Sequence, residues 1–131
     1  MSRLRVVAAA LVSLCGCQSK SSPPEGALKP PEHAVVVHFK YGLPDVSALR
    51  DVESKVEQAI VAAHVGEYDG DEIAVDLSDG YLYMYGPNGD GLFAAVRPVL
   101  ESASFMKGAV VTVRYGPPGA RQATITIGAG R

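Results

Sequence analysis

The sequence predicts an α+β domain in which two helices cover one face of an antiparallel sheet. Three observations carry the prediction. HAVVVHFKY (33–41) and YLYMY (81–85) alternate with the period of two that marks a strand. Two stretches, about 45–65 and 90–102, repeat apolar residues at helical spacing. Gly, Pro and Asp clusters punctuate the segments between them.

The elements follow in order. In the first strand Val35, Val37, Phe39 and Tyr41 share one face, and Ala34, Val36, His38 and Lys40 the other. Gly42-Leu43-Pro44 breaks it, and Asp45 is the expected N-cap of a helix to about Val65. Its stripe is Val46, Leu49, Val52, Val56, Ala59, Ile60 and Ala63, and Gly66 is the expected stop. EIAVDLS (72–78) reads as a second strand with Ile73, Val75 and Leu77 on one face. Asp79-Gly80 is a tight-turn dipeptide leading into GYLYMYG, the third strand. Asp90 is the expected cap of the second helix, with Leu92, Val96, Val99 and Leu100 as its stripe. Pro98 removes an amide there and predicts a kink or a shorter helix. AVVTVRY (109–115), the turn Gly116-Pro117-Pro118-Gly119 and RQATITIG complete the domain.

The order β-α-β-β-α-β followed by one more strand is that of the split βαβ, or ferredoxin-like, arrangement. Its helices cover one sheet face, and the last strand extends an edge beside the fourth. Val35/Val37/Phe39, Ile73/Val75/Leu77, Val111/Val113 and Ala123/Ile125/Ile127 are expected to face the helices, with Leu82 and Met84. Parity then sends Tyr81, Tyr83 and Tyr85 to the open face. Val36, His38, Lys40, Asp76, Ser78, Thr112, Arg114, Thr124 and Thr126 share it. Tyr81, Tyr83, Tyr85, His38, Lys40 and Arg114 are therefore the candidate binding face, since Tyr and Arg supply contact area at low entropic cost.

The amino terminus carries a different signal. Arg3 and Arg5 precede an apolar run, Val6 to Leu14, too short to span a bilayer as a helix. Leu14-Cys15-Gly16-Cys17 resembles the lipobox of bacterial lipoproteins, with small Gly16 before the modified cysteine. The resemblance implies cleavage after Gly16 and fatty acylation, palmitate included, of Cys17, with Cys15 lost in the signal. Gln18 leans toward an outer membrane where the cell has one. Residues 1–16 are thus read as signal peptide and 17–31 as lipidated Cys and a Ser/Pro-rich tether. Residues 32–131 are read as the domain. The implied localisation is extracytoplasmic, with the membrane as partner through Cys17. Loss of Arg3 and Arg5 takes the 12 basic against 14 acidic side chains to 10 against 14, a net charge of −4. That balance disfavours nucleic acid and anionic lipid surfaces.

Motifs of chemistry are weak. GPNGDG (86–91) lies between strand and helix, where free amides could hold a phosphate. It lacks a Gly-Lys-Ser/Thr ending and places the Asp90 carboxylate in the way, so it reads as a structural turn. GEYDGDE (66–72) reads as a solvated acidic loop, with Asp69, Asp71 and Glu72 as weak metal candidates and no EF-hand spacing. No nucleophile motif, cofactor motif or metal-spaced histidine pair is seen, and no cofactor is expected. The leading expectation is an envelope binding module whose partner is a protein or another cell-envelope component, not identified by the sequence. The alternatives are a small enzyme or Ca²⁺ binder using the acidic loop, and a structural spacer associating through the fifth strand's edge. GEYDGDEI, YLYMYGPNGDGLF and RPVLESASFMKGAVVTVRYGPPG also resemble a group of small bacterial proteins of unassigned function. That resemblance implies a compact domain and no activity.

The lipobox reading has a direct test. The intact mass of the membrane-extracted protein should equal residues 17–131 plus a diacylglyceryl group, with or without an amide-linked acyl chain. An unmodified Cys17 contradicts it.

Overall fold

The computed structural model describes residues 32–128. The expected signal peptide, Cys17 and the expected tether lie outside them. The fold is α+β and ferredoxin-like, with an added carboxy-terminal strand. β1 (His33–Lys40), α1 (Ser47–Ala63), β2 (Glu67–Ile73), β3 (Asp79–Gly86), α2 (Gly89–Ser102), β4 (Val110–Arg114) and β5 (Gln122–Thr126) follow one another. A short 3₁₀ turn, Ser104–Met106, joins α2 to β4. The five strands lie in the order β2-β3-β1-β4-β5, every neighbouring pair antiparallel.

β1 is central because both of its faces and both of its edges are used. Val35, Val37 and Phe39 are 0–1% exposed and face the helices. Leu82 and Met84 of β3 and Val111 and Val113 of β4 join them at 0% exposure. From above, α1 contributes Leu49, Val52, Val56 and Ile60, and α2 contributes Leu92, Phe93, Val96 and Leu100. Met106 fills the space under the 3₁₀ turn, and Phe105 packs tilted against Phe39 at 5.6 Å between ring centroids. The sequence does not signal this turn, because three residues hold no periodicity.

The second strand departs from expectation. It is Glu67–Ile73, not 72–78, so the acidic stretch is a strand and not a loop. Ala74–Ser78 is the turn, and Asp79-Gly80 opens β3 instead of making the hairpin bend. Of the expected inward set, Ile73 and Leu77 pack on the core, while Val75 projects fully into solvent at the bend. Asp76 and Ser78, expected on the open face, lie in this turn, where the Asp76 carboxylate accepts the Ser78 amide at 3.0 Å. Leu77 adopts φ 60°, and its carbonyl accepts the Gly42 amide at 2.7 Å, pinning the turn to the end of β1. Gly80 faces the core beside Phe39, where an added Cβ would lie 2.9 Å from the ring and 2.5 Å from the Glu72 carbonyl.

Helix ends are also corrected. α1 begins after Val46, and Asp45 accepts the Ser47 amide at 2.8 Å from one position farther out than a cap. The stop is His64 at φ 54°, its amide bonded to helix carbonyls. Gly66 serves a different need: an added Cβ there would meet the Tyr85 carbonyl at 2.1 Å. α2 is capped by Asn88, which accepts the Gly91 amide at 3.0 Å, and Asp90 sits in the first turn. The helix continues through Pro98 to Ser102. Pro98 and Ala94 are both exposed, so the carbonyl left without its amide can bond water. Among the described residues no helix is long and apolar enough to cross a bilayer.

Val75 separates the observed β2–β3 hairpin from the expected one, with Leu82, buried in both, as the reference. Leu82→Ala should destabilise by about 2–5 kcal/mol, as for a buried leucine left as a cavity. Val75→Asp should change stability by less than about 0.5 kcal/mol, as at an open surface site. Chemical denaturation measures both. A large loss at Val75 contradicts the turn.

Candidate functional site

Antiparallel register builds the open face in rows. Glu72, Tyr81, His38, Val110 and Thr126 lie side by side in one row. Gly70, Tyr83, Val36, Thr112 and Thr124 form the next, and Glu67, Tyr85, Ala34, Arg114 and Gln122 the third. The tyrosines therefore stand where parity predicts. Tyr81 is 38% exposed, and Tyr83 and Tyr85 are half-buried. Both helices lie on the other face, where Leu82 and Met84 point.

His38 and Tyr81 stack at 4.5 Å with planes 15° apart, and Tyr81 and Tyr83 are 6.1 Å apart at the same tilt. Much of the ring surface is therefore turned toward neighbouring rings, and the row offers edges and hydroxyls as well as faces. Carboxylates hold both ends. His38 Nε2 lies 2.9 Å from Asp79 Oδ2, and the Tyr83 hydroxyl donates to Glu72. That bond to a carboxylate, with lesser desolvation, raises the Tyr83 phenol to about 12. Lys40 is exposed at the end of β1, opposite Asp79. Arg114 lies two strands from Tyr85, across Ala34, and its Nε donates to the Gly116 carbonyl at 2.7 Å. Structure thus brings His38, Tyr81 and Tyr83 together, leaves Tyr85 and Lys40 flanking them, and places Arg114 apart.

The weak metal candidates do not converge. Strand alternation sends Asp71 toward α1 and Glu72 to the open face, with Asp69 in the register shift between Tyr68 and Gly70. Among the described residues no three His, Cys, Asp or Glu side chains are grouped to hold a metal ion.

Two polar clusters were not anticipated by the sequence reading. Beneath α1, the Tyr68 hydroxyl donates to Glu53 Oε1 at 2.5 Å, and Arg50 bridges Glu53 and Asp71, the latter at 3.0 Å. Burial, then the bond to Glu53, pushes the Tyr68 phenol far up. At the start of α2, the Gly89 amide donates to His33 Nδ1 at 2.8 Å. Nearby, Tyr115 donates to Asp90 Oδ1 at 2.6 Å, raising its phenol, and the Arg121 guanidinium lies 4.1 Å over its ring. Two amides of the GPNGDG loop are therefore already bonded, to His33 and Asn88. Arg50 and Glu53 at helical spacing were a readable signal for an intrahelical pair. Their link to Tyr68 and Asp71 needs the fold.

The tyrosine row predicts an alkaline signature. Tyr83 is neutral in the bonded form, so its folded pKa lies above the unfolded one. The stabilisation is fully present below pH ~10 and is lost as pH rises through about 12. Ultraviolet phenolate titration should show Glu72→Gln moving one late-titrating tyrosine toward the ordinary range. An unchanged titration curve contradicts the Tyr83–Glu72 bond.

Comparison with known proteins adds a fold and no activity. No family model matches the chain, and no curated protein matches it. The structure of Rv0793 from Mycobacterium tuberculosis is similar with a TM-score of 0.50 and 18% identity, covering 69% of this chain and 99% of that one. At that identity the likeness speaks for the α+β architecture alone.

Proposed function

We propose that the chain is a lipid-anchored, extracytoplasmic binding module of the cell envelope. Its open sheet face is the surface offered to a protein partner. The observation that carries this reading is the row His38–Tyr81–Tyr83, part-exposed on a face that, among the described residues, no helix covers. Aromatic groups with polar tips suit interface centres, because they add area with few rotatable bonds. Glu67, Glu72 and Asp79 border the row, which favours neutral or cationic partner groups and disfavours nucleic acid. The lipobox-like Leu14-Cys15-Gly16-Cys17 and the Ser/Pro-rich composition of residues 17–31 support the anchored half of the reading from sequence. Two or more acyl chains give stable attachment, each buried methylene contributing about 0.8 kcal/mol.

Its test compares the wild type with Tyr81→Ser/Tyr83→Ser/Tyr85→Ser after cross-linking in intact cells. The variant should lose the captured envelope partners while keeping its circular dichroism spectrum. Recovery of the same partners by a folded variant contradicts the reading.

A further inference from the structure

We propose that the free edge of β5 is a self-association surface, at which a second copy of this chain pairs antiparallel with the first. The proposal is independent of any partner on the open face. It begins with which backbone groups are spent. The Ile127 amide donates to the Ala109 carbonyl at 2.8 Å, and the Tyr115 amide donates to the Arg121 carbonyl at 2.9 Å. Antiparallel partners alternate between bonded and non-bonded pairs. Arg121, Ala123, Ile125 and Ile127 therefore turn their backbone groups toward β4. Gln122, Thr124 and Thr126 turn theirs outward, and all three are exposed. Among the described residues, no strand pairs beyond β5.

The two edges of the sheet differ in how they are protected. β2 carries Glu67, Asp69, Asp71 and Glu72 and a register shift, so two copies meeting there would oppose carboxylates across an irregular backbone. β5, QATIT, has no charge, no proline and no register shift. Arg121, just before it, is drawn over the Tyr115 ring. On a chain of net negative charge, β5 is the edge where a second copy approaches without like-charge repulsion.

The strand is also complementary to itself. A two-fold axis through Thr124 sets Thr124 against Thr124 of the second copy and Gln122 against Thr126. All outward backbone groups are then satisfied by about six interchain bonds. The same register sets Ala123 against Ile125 on the helix side. Both are half-buried, with Ile125 packed at the border of the core, so the pairing covers apolar surface that stays part-exposed in the single domain. A five-residue edge buries less than the ~1,000 Å² of a stable soluble interface. The pairing is therefore weak in solution and strengthens where copies are concentrated. The two open faces lie on the same side of the joined sheet, a bivalent display.

Cysteine pairs test the register in membranes of cells making the full chain, with copper phenanthroline as oxidant. Bonded antiparallel partners stand about 5.5 Å apart at Cα, within disulfide reach. Thr124→Cys should give a cross-linked dimer, and Thr126→Cys alone none above wild type. Coexpressed Gln122→Cys and Thr126→Cys chains should give a mixed dimer. Adding Thr124→Pro to that pair should abolish it, because this proline removes an outward amide and leaves the β4 ladder intact. Absence of dimer from Thr124→Cys, or equal yields from Thr124→Cys and Thr126→Cys, overturns the proposal. The cysteine register decides the question by itself if the proline variant does not fold.

Discussion

The pairing of β1 on both of its edges is the constraint on which the rest of the structure depends. Val35, Val37 and Phe39 are buried against the helices, and their neighbours must therefore present Leu82, Met84, Val111 and Val113 at the same level. A slip of one residue between β1 and β3 would turn Leu82 and Met84 outward and drive three tyrosines into the apolar layer. The register that forms the core also assembles the open face. His38 meets Tyr81 and Val36 meets Tyr83 only because Val37 meets Leu82. Ala34 is 0% exposed despite its open-face parity, flanked by Tyr85 and Arg114 on the neighbouring strands.

Polar clusters then fix what burial leaves free. Arg50, Glu53, Tyr68 and Asp71 tie α1 to β2, a strand too acidic to be held by apolar packing alone. His33, Gly89, Tyr115 and Asp90 tie the start of α2 to β1 and the end of β4. In each cluster the side chains are already bonded to one another or to the backbone. The open face differs, since its aromatic row is bounded by carboxylates yet remains in contact with solvent. That difference is why the binding proposal rests there.

The fold and the tyrosine face were legible because alternation in β1, β3 and β4 is unambiguous and parity does the rest. β2 was not legible. Ile73, Val75 and Leu77 imitate a strand, while the true strand, EYDGDEI, reads as a polar loop. It is held by its pairing with β3 and by Tyr68 and Asp71 meeting α1, the latter a contact between segments distant in sequence. The same limit applies to α2: Asn88 and Asp90 are both good caps by type, and only the bond from Tyr115 shows that Asp90 is occupied elsewhere. The ring stack of His38, Tyr81 and Tyr83 was readable as adjacency, but not as a row bonded at both ends.

The central claim is that alternate residues of β3 divide between a sealed core and an uncovered aromatic face. Nuclear magnetic resonance with a soluble paramagnetic probe measures this directly. The account predicts strong broadening of the Tyr81 ring, intermediate broadening of Tyr83 and His38, and protection of the Leu82 and Met84 methyl groups. Equal protection of the tyrosine rings and the Leu82 methyls would contradict it.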